Sequence, residues 1–310
     1  MSNKPLKIII LGYLRPAILQ ACLDGLSTNQ LAKTASVTIC IDGLKSDASD
    51  MYRDLHAQTI AVANSENRFA ENLVLVNKEN LGVTKQYFDK FNLFFKDNEQ
   101  LVVVEDDVVV GSYFLDFVTE AFSRYGTNPK LSIINGYTYY VPFIKKNNSC
   151  YFSPGGGNQA FAITKIFWEQ MDLKCSGSEL LKTDSDLRNR FNSNGVDYTG
   201  ILFAQLEGRH TGAWDAIFWW NIFSKGLLSL YPDRSLSTNI GWNSVGSSHT
   251  FIDNPFENST FDDKYKILKF PESIEPDLKA IKMHKLYFKH FFRFKYYLVK
   301  LKMFFKNLSK

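Results

Sequence analysis

Two hydrophobic periods alternate through the first 135 residues of this sequence, and that alternation limits the fold more than any other feature. Continuous apolar runs of strand length lie at 7–11, 37–41, 73–76, 101–104 and 131–134. Between them are stretches with helical spacing at 16–26, 48–63, 83–95 and 112–124. Strands that are apolar on both faces need cover on both faces, so the pattern predicts an α/β fold: a mostly parallel sheet flanked by helices. Sheets of this kind bind ligands beyond the carboxyl ends of their strands. The polar residues expected there are Arg15, Asp42, Asn80 and the run Glu105-Asp106-Asp107. No GxGxxG follows the first strand and no GxxxxGK[ST] occurs, so neither a dinucleotide fingerprint nor a P-loop is supported.

The region 136–255 is less regular, with glycines at 155–157 and scattered Trp, Asn and Ser. No Pro/Ser-rich linker divides it from what precedes, so it reads as the second half of the same domain, and no internal repeat is visible. The four cysteines, Cys22, Cys40, Cys150 and Cys175, form no CxxC and have no clustered His, which points to reduced thiols in a cytoplasmic protein. The apolar stretch 8–14 is too short for a secretory signal core and is interrupted by Arg15-Pro16.

Net charge separates the chain into two parts. The total is +4, but ten of the 36 Lys and Arg lie in 279–310, which has no Asp or Glu. Residues 1–278 keep 26 basic against 32 acidic groups. The segment 279–310 also lacks Gly and Pro, and Met283, Tyr287, Phe291, Phe294, Leu298, Leu301, Phe305 and Leu308 form one helical stripe. A basic, aromatic-rich amphipathic helix of this composition is expected to lie on an anionic membrane surface. The expected organisation is therefore a domain over 1–278 and a helix over 279–310; packing of that helix on the body or on an oligomer partner, and RNA binding, are the weaker alternatives.

Three consecutive carboxylates ending an apolar strand are expensive to desolvate, because like charges raise one another's pKa. A hard divalent cation such as Mg²⁺ or Mn²⁺ relieves that cost and attracts a diphosphate. Strand alternation predicts Glu105 and Asp107 on one face and Asp106 on the other.

An apolar strand ending in Glu-Asp-Asp resembles the metal-binding motif of GT-A glycosyltransferases, in the variant of N-acetylglucosaminyltransferase I. Gly12-Tyr13-Leu14-Arg15-Pro16, Cys40-Ile41-Asp42-Gly43 and Asn80-Leu81-Gly82 are similar to that family's first three turns. Leu230-Tyr231-Pro232, Ser237-Thr238-Asn239-Ile240-Gly241 and Gly246-Ser247-Ser248-His249-Thr250 resemble its closing segments, so the resemblance covers roughly residues 6–252. It implies a GT-A fold with a nucleotide-binding half over 1–135 and an acceptor-side half over 136–255. It puts the metal on Asp107, the ribose or sugar hydroxyls on Asp106, a supporting role on Glu105 and the nucleotide base, most readily uracil, on Asp42. Arg15 is placed near the diphosphate, with Asn80 and Lys85 as weaker contacts and His249 at the diphosphate or metal. The segment 243–248 is expected to act as a lid. Trp214-Asp215 resembles the dipeptide bearing the family's catalytic base, with Asp184 and Glu207 next in line.

The function implied is a metal-dependent, inverting transfer of a sugar from a UDP-linked donor to a glycan or lipid-linked glycan in surface polysaccharide synthesis. A peripheral position at the inner face of a bacterial plasma membrane goes with it. Two other readings stand beside this one. A sugar nucleotidyltransferase would need a Gly-rich, Lys/Arg-bearing loop after the first strand, and that turn offers only Gly12 and Arg15-Pro16. A non-catalytic, membrane-tethered carbohydrate-binding protein would have no need of an intact Glu105-Asp106-Asp107.

Overall fold

The computed structural model describes residues 5–141, 144–156, 159–192, 196–210, 212–242 and 261–292. His249, the expected lid at 243–248 and the tail from 293 onward lie outside the described residues. The N-terminal half follows the expected alternation: β1 (Lys7–Gly12), α1 (Pro16–Ser27), β2 (Ser36–Ile41), α2 (Asp50–Ser65), β3 (Glu71–Val76), α3 (Val83–Phe94) and β4 (Gln100–Glu105). After a two-residue turn come β5 (Val108–Val110), α4 (Phe114–Tyr125) and β6 (Leu131–Asn135). The second half contributes β7 (Cys150–Ser153), β8 (Ala160–Thr164), α5 (Lys165–Glu169), α6 (Ser185–Phe191), α7 (Tyr198–Leu206), α8 (Trp214–Ser224), β9 (Leu228–Pro232), β10 (Ser237–Asn239) and α9 (Leu278–Leu286).

Eight strands form one mixed sheet in the order β3-β2-β1-β4-β8-β6-β9-β7. Pairings β1–β2, β2–β3, β1–β4 and β6–β9 are parallel, while β4–β8, β6–β8 and β7–β9 are antiparallel. Both halves of the sequence therefore build the same sheet. Alternate residues of the central strands feed opposite faces, as the two-residue strand period requires. Ile8, Ile10, Val102 and Val104 pack with Leu19 and Leu23 of α1 and Val118 and Phe122 of α4. Ile9, Leu11, Leu101 and Val103 pack with Tyr87 and Phe91 of α3 and Trp214 and Phe218 of α8. Each fully buried side chain of this kind contributes roughly 1.5–3 kcal/mol, so both faces anchor the strand ends firmly. The described cysteines are all free thiols and buried.

The order in which strands are laid down reverses between β1 and β4: β2 and β3 add on one side of β1, and β4 on the other. That leaves a crevice at the carboxyl ends of β1 and β4, the position where open α/β sheets accept ligands. The triplet 105–107 stands there, and the strand alternation expected for it does not hold. β4 ends at Glu105, the chain turns through Asp106 and Asp107, and a separate ribbon begins when β5 pairs antiparallel with β10. A turn breaks the two-residue period, so Asp106 and Asp107 share one environment and Glu105 has another.

The C-terminal boundary also differs from the expectation. Asp277 caps α9 by accepting from the Ala280 N–H at 2.8 Å, and its own N–H donates to the Phe152 carbonyl of β7 at 2.9 Å. Ala280 and Phe288 are buried, and His284 Nε2 lies 2.7 Å from the Tyr151 hydroxyl. The face that docks is thus 280–284–288, beside the stripe through Met283 and Tyr287 that spacing alone selects. Residues 279–288 belong to the body of the fold. No helix among the described residues is long and apolar enough to cross a membrane.

Candidate active site at the switch between β1 and β4

Arg15 leaves β1 through a short turn and enters α1, whose first residue is Pro16; proline fits there because that position has no amide partner to lose. Its guanidinium reaches both carboxylates of the 106–107 turn. Nη1 donates to Asp107 Oδ2 at 2.8 Å, Nη2 donates to Asp106 Oδ1, and Nε lies 3.4 Å from Asp106 Oδ2. Asp106 is nearly inaccessible, at 2% side-chain exposure, whereas Asp107 and Arg15 retain 14% and 18% and face the crevice. Burial and the neighbouring Asp107 push Asp106 up to about 6 against the pull of Arg15, and the two carboxylates hold Arg15 firmly in its charged form.

Glycines on both sides admit this cluster. A Cβ on Gly241 would stand 2.3 Å from Asp107 Oδ2 and 2.8 Å from Arg15 Nη1, closer than any side chain tolerates. The preceding Ile240 N–H donates to the Asp107 carbonyl at 2.8 Å. The segment after β10 therefore lies directly over the ion pair.

Glu105 faces the other side. Tyr87 of α3 donates to its Oε1 at 2.9 Å, and the Tyr87 ring stacks on Trp214 with centroids 4.1 Å apart. Desolvation, reinforced by Asp107, raises Glu105 to about 8. Tyr87 has no counterpart in the sequence reading; its only signal was membership of the buried face of α3.

Asp42 is buried at the end of β2, and five donors converge on it. Oδ1 accepts from the Gly43 and Leu81 N–H groups and from Asn77 Nδ2, each at 3.0 Å; Oδ2 accepts from the Gly82 N–H at 2.9 Å and from Asn80 Nδ2 at 3.1 Å. A carboxylate offers about four lone-pair sites, so all are engaged. This geometry departs from the expectation that Asp42 reads a base directly. The side chain instead fastens the 80–82 turn to β2, and Asn80 serves the same turn through a 2.8 Å bond to the Gly43 carbonyl. A Cβ at Gly43 would collide with the Glu79 backbone at 2.3 Å, which explains the Asp-Gly pair. Lys85 is exposed and paired with Asp89 one turn along α3, away from the carboxylate cluster's contacts.

Asp215 sits in the first turn of α8, not at its N-cap. Desolvation raises it to about 6, against its local backbone bonds and His210. The adjacent Trp214 ring connects it through Tyr87 to Glu105. The two reserve bases have other work. Asp184 caps α6 through the N–H groups of Asp186 and Leu187, and Glu207 is exposed and ion-paired with Arg209 at 2.7 Å.

A divalent cation can be tested against this donor set. Asp107 Oδ1 is buried and has no hydrogen-bond partner among the described residues, which leaves one hard oxygen acceptor unsatisfied beside the crevice. Among the described residues there is no cluster of three or more His, Cys, Asp or Glu able to hold a metal by itself. The residues fit a cation held by Asp107, with Asp106 behind it, that completes its shell from ligand phosphates and water, the usual arrangement for Mg²⁺.

No family model matches the chain, and no curated protein matches it. Solved structures with a related arrangement of elements include a cytidylyltransferase from Leptospira borgpetersenii, at 12% identity over 54% of this chain and 63% of that one, with a TM-score of 0.33. The galactosyltransferase LgtC, in complex with donor and acceptor sugar analogs, is 12% identical over 58% of this chain and 66% of its own, with a TM-score of 0.34. Glucosyl-3-phosphoglycerate synthase from Mycobacterium tuberculosis, with Mn²⁺, UDP and phosphoglyceric acid, is 10% identical over 56% and 58%, with a TM-score of 0.34. The matches thus span less than two thirds of each of these proteins. The likeness is one of partial architecture and assigns no role to any residue of this chain.

Proposed function

We propose that this chain is a GT-A-type glycosyltransferase that moves a sugar from a nucleoside diphosphate donor to a hydroxyl acceptor. One observation carries the reading. Arg15, Asp106 and Asp107 converge at the switch point between β1 and β4, with one Asp107 oxygen unpaired among the described residues. A cation on Asp107 supplies neutralisation of charge on the departing diphosphate. Arg15, which keeps 18% side-chain exposure at the crevice, would offer a fixed fork of donors to the phosphate oxygens.

Asp215 takes the proton of the attacking hydroxyl as the new bond to the anomeric carbon forms and the bond to the diphosphate oxygen breaks. A carboxylate raised to about 6 is deprotonated at neutral pH yet basic enough to hold the proton briefly. Attack opposite the leaving group inverts the anomeric centre. Asp42 acts indirectly, by fixing the 80–82 turn that forms one wall of the nucleotide region. A UDP-linked donor whose base is read by groups other than the Asp42 carboxylate, Mn²⁺ or Mg²⁺ and an acceptor in surface polysaccharide synthesis belong to this proposal, as does a contact of residues 293–310 with the inner face of a plasma membrane.

Thermal unfolding with a panel of nucleoside diphosphate sugars and Mn²⁺, combined with donor hydrolysis, tests the reading. UDP-sugars are expected to raise the melting temperature of the wild type and not of Asp107→Ala. No stabilisation by any nucleotide would end the transferase reading, and stabilisation by a nucleoside triphosphate alone would favour a nucleotidyltransferase. For the tail, liposome flotation of the full chain is compared with a truncation after residue 292, because truncation at 278 removes the docked α9.

A further inference from the structure

The second half of the chain, with the docked end of α9, builds a cavity of about 130 Å³. Its walls are aromatic: Tyr231 from β9, Tyr151 from β7, Trp219 and Phe223 from α8, and Phe288 beyond α9, with Arg190 at the rim. Helix α8 shows how the cavity relates to chemistry. Asp215, Trp219 and Phe223 are the partly exposed positions along an otherwise buried stretch, spaced four residues apart, so they lie one above another on a single face. The candidate base and the cavity wall are one turn apart on the same helix.

The loop on the opposite side makes the same connection. Trp219 Nε1 donates to the Gly156 carbonyl at 2.7 Å, and Gly155 and Gly156 line the cavity with φ of +97° and +117°, values that suit glycine. Three residues on, the Gln159 carbonyl accepts from the Glu105 N–H at 3.0 Å. Gly156 at the cavity and Gln159 at the acidic strand end are thus three positions apart in the chain.

The polar groups indicate what the cavity takes. The Tyr231 hydroxyl has no side-chain hydrogen bond among the described residues and stands 3.5 Å from where a Gly155 Cβ would lie. Arg190 and Lys285 are exposed, make no ion pair among the described residues and line a shallow depression adjoining the cavity, with Asp186 as the one acid there. Aromatic faces suit the C–H faces of a pyranose, the Tyr231 phenol suits one of its hydroxyls, and two cations that make no ion pair among the described residues, beside one carboxylate, favour an anionic substituent. We propose that this cavity is the acceptor subsite and that it binds a pyranose carrying a single anionic group, a phosphate ester or a carboxylate.

The acceptor assignment rests on the transferase reading, but binding at the cavity does not. Calorimetric titration of the full chain, with UDP and Mn²⁺ saturating, uses glucose 6-phosphate and methyl glucuronide against methyl glucoside and inorganic phosphate. At least one charged sugar is expected to bind tenfold or more tightly than either reference. The exposed double variant R190Q/K285Q should bring it within twofold of methyl glucoside while leaving the melting temperature and UDP binding unchanged. Preference for the phosphate ester or for the glucuronide identifies the anion, and either supports the proposal. Equal binding of methyl glucoside, phosphate binding as tightly as the charged sugars, or an unaffected double variant overturns it. Charged-sugar binding in a chain that no nucleotide stabilises would fail the transferase reading alone.

Discussion

The Arg15 guanidinium donates to Asp107 Oδ2 at 2.8 Å while also engaging Asp106, so the residue expected to meet a diphosphate is the resident counter-charge of the carboxylates. Arginine and a divalent cation are alternative ways to relieve the same repulsion. The balance between them is measurable.

Arg15→Gln leaves two carboxylates facing each other without a cation. Removing one partner of a largely buried pair typically costs about 3–5 kcal/mol. Urea unfolding is expected to show a loss of that order, and millimolar Mn²⁺ should raise the melting temperature more in the variant than in the wild type. Equal responses to Mn²⁺ would mean that arginine and metal do not share the site.

Glu105 makes stability fall as pH rises. Its pKa is about 8 in the fold against about 4.5 when unfolded, so between these values the folded state binds more protons. Its contribution is complete below pH 4.5 and is lost progressively up to about pH 8. Glu105→Gln keeps an acceptor for the Tyr87 hydroxyl and cannot ionise. Denaturation midpoints across pH 5–8 should therefore decline less in the variant than in the wild type.

Asp42→Asn replaces an acceptor-only group by one whose amide must face donors. Bonds to a charged acceptor contribute about 1.5–3 kcal/mol each, and at least one of the five is lost. A loss of about 2 kcal/mol or more in urea is expected, with faster hydrogen exchange at Leu81 and Gly82. Unchanged exchange there would remove the turn-fastening role.

Asp215→Asn should lower transfer by about 10²–10⁴-fold, the range typical of losing a general base, with nucleotide-induced stabilisation retained. In the wild type, activity should rise with pH through about 6 as the carboxylate loses its proton. A pH profile unchanged in the variant would place the base elsewhere.

His284 gives α9 the opposite pH dependence to Glu105. Burial lowers its pKa to about 4, below the unfolded value of about 6.5, so the unfolded state binds the extra proton between them. The stabilising contribution is present above pH 6.5 and is lost as pH falls toward 4. Protection of the 278–288 amides, relative to the sheet, should be weaker at pH 5 than at pH 7.5, and His284→Ala should abolish the difference.

The first 135 residues announced their fold because each apolar run and helical stripe is a local property. β1, β2, β4 and β6, and the helices between them, lie within a few residues of the positions read from periodicity. Arg15 and the 105–107 triplet were legible for a related reason: charged residues at the end of a buried strand are conspicuous in any α/β chain. What the linear order could not supply was pairing. That Asp106 and Asp107 share Arg15, that Glu105 turns away to Tyr87, and that four of the five donors on Asp42 come from the 77–82 segment all depend on groups 18 to 92 positions apart. The tail shows the division most sharply. Sequence alone determined that a basic amphipathic helix begins near 279. The tertiary structure decided that its first turns are part of the body, because Tyr151 and the end of β7 offer a partner for His284 and a carbonyl for Asp277 that no periodicity in the helix itself can reveal.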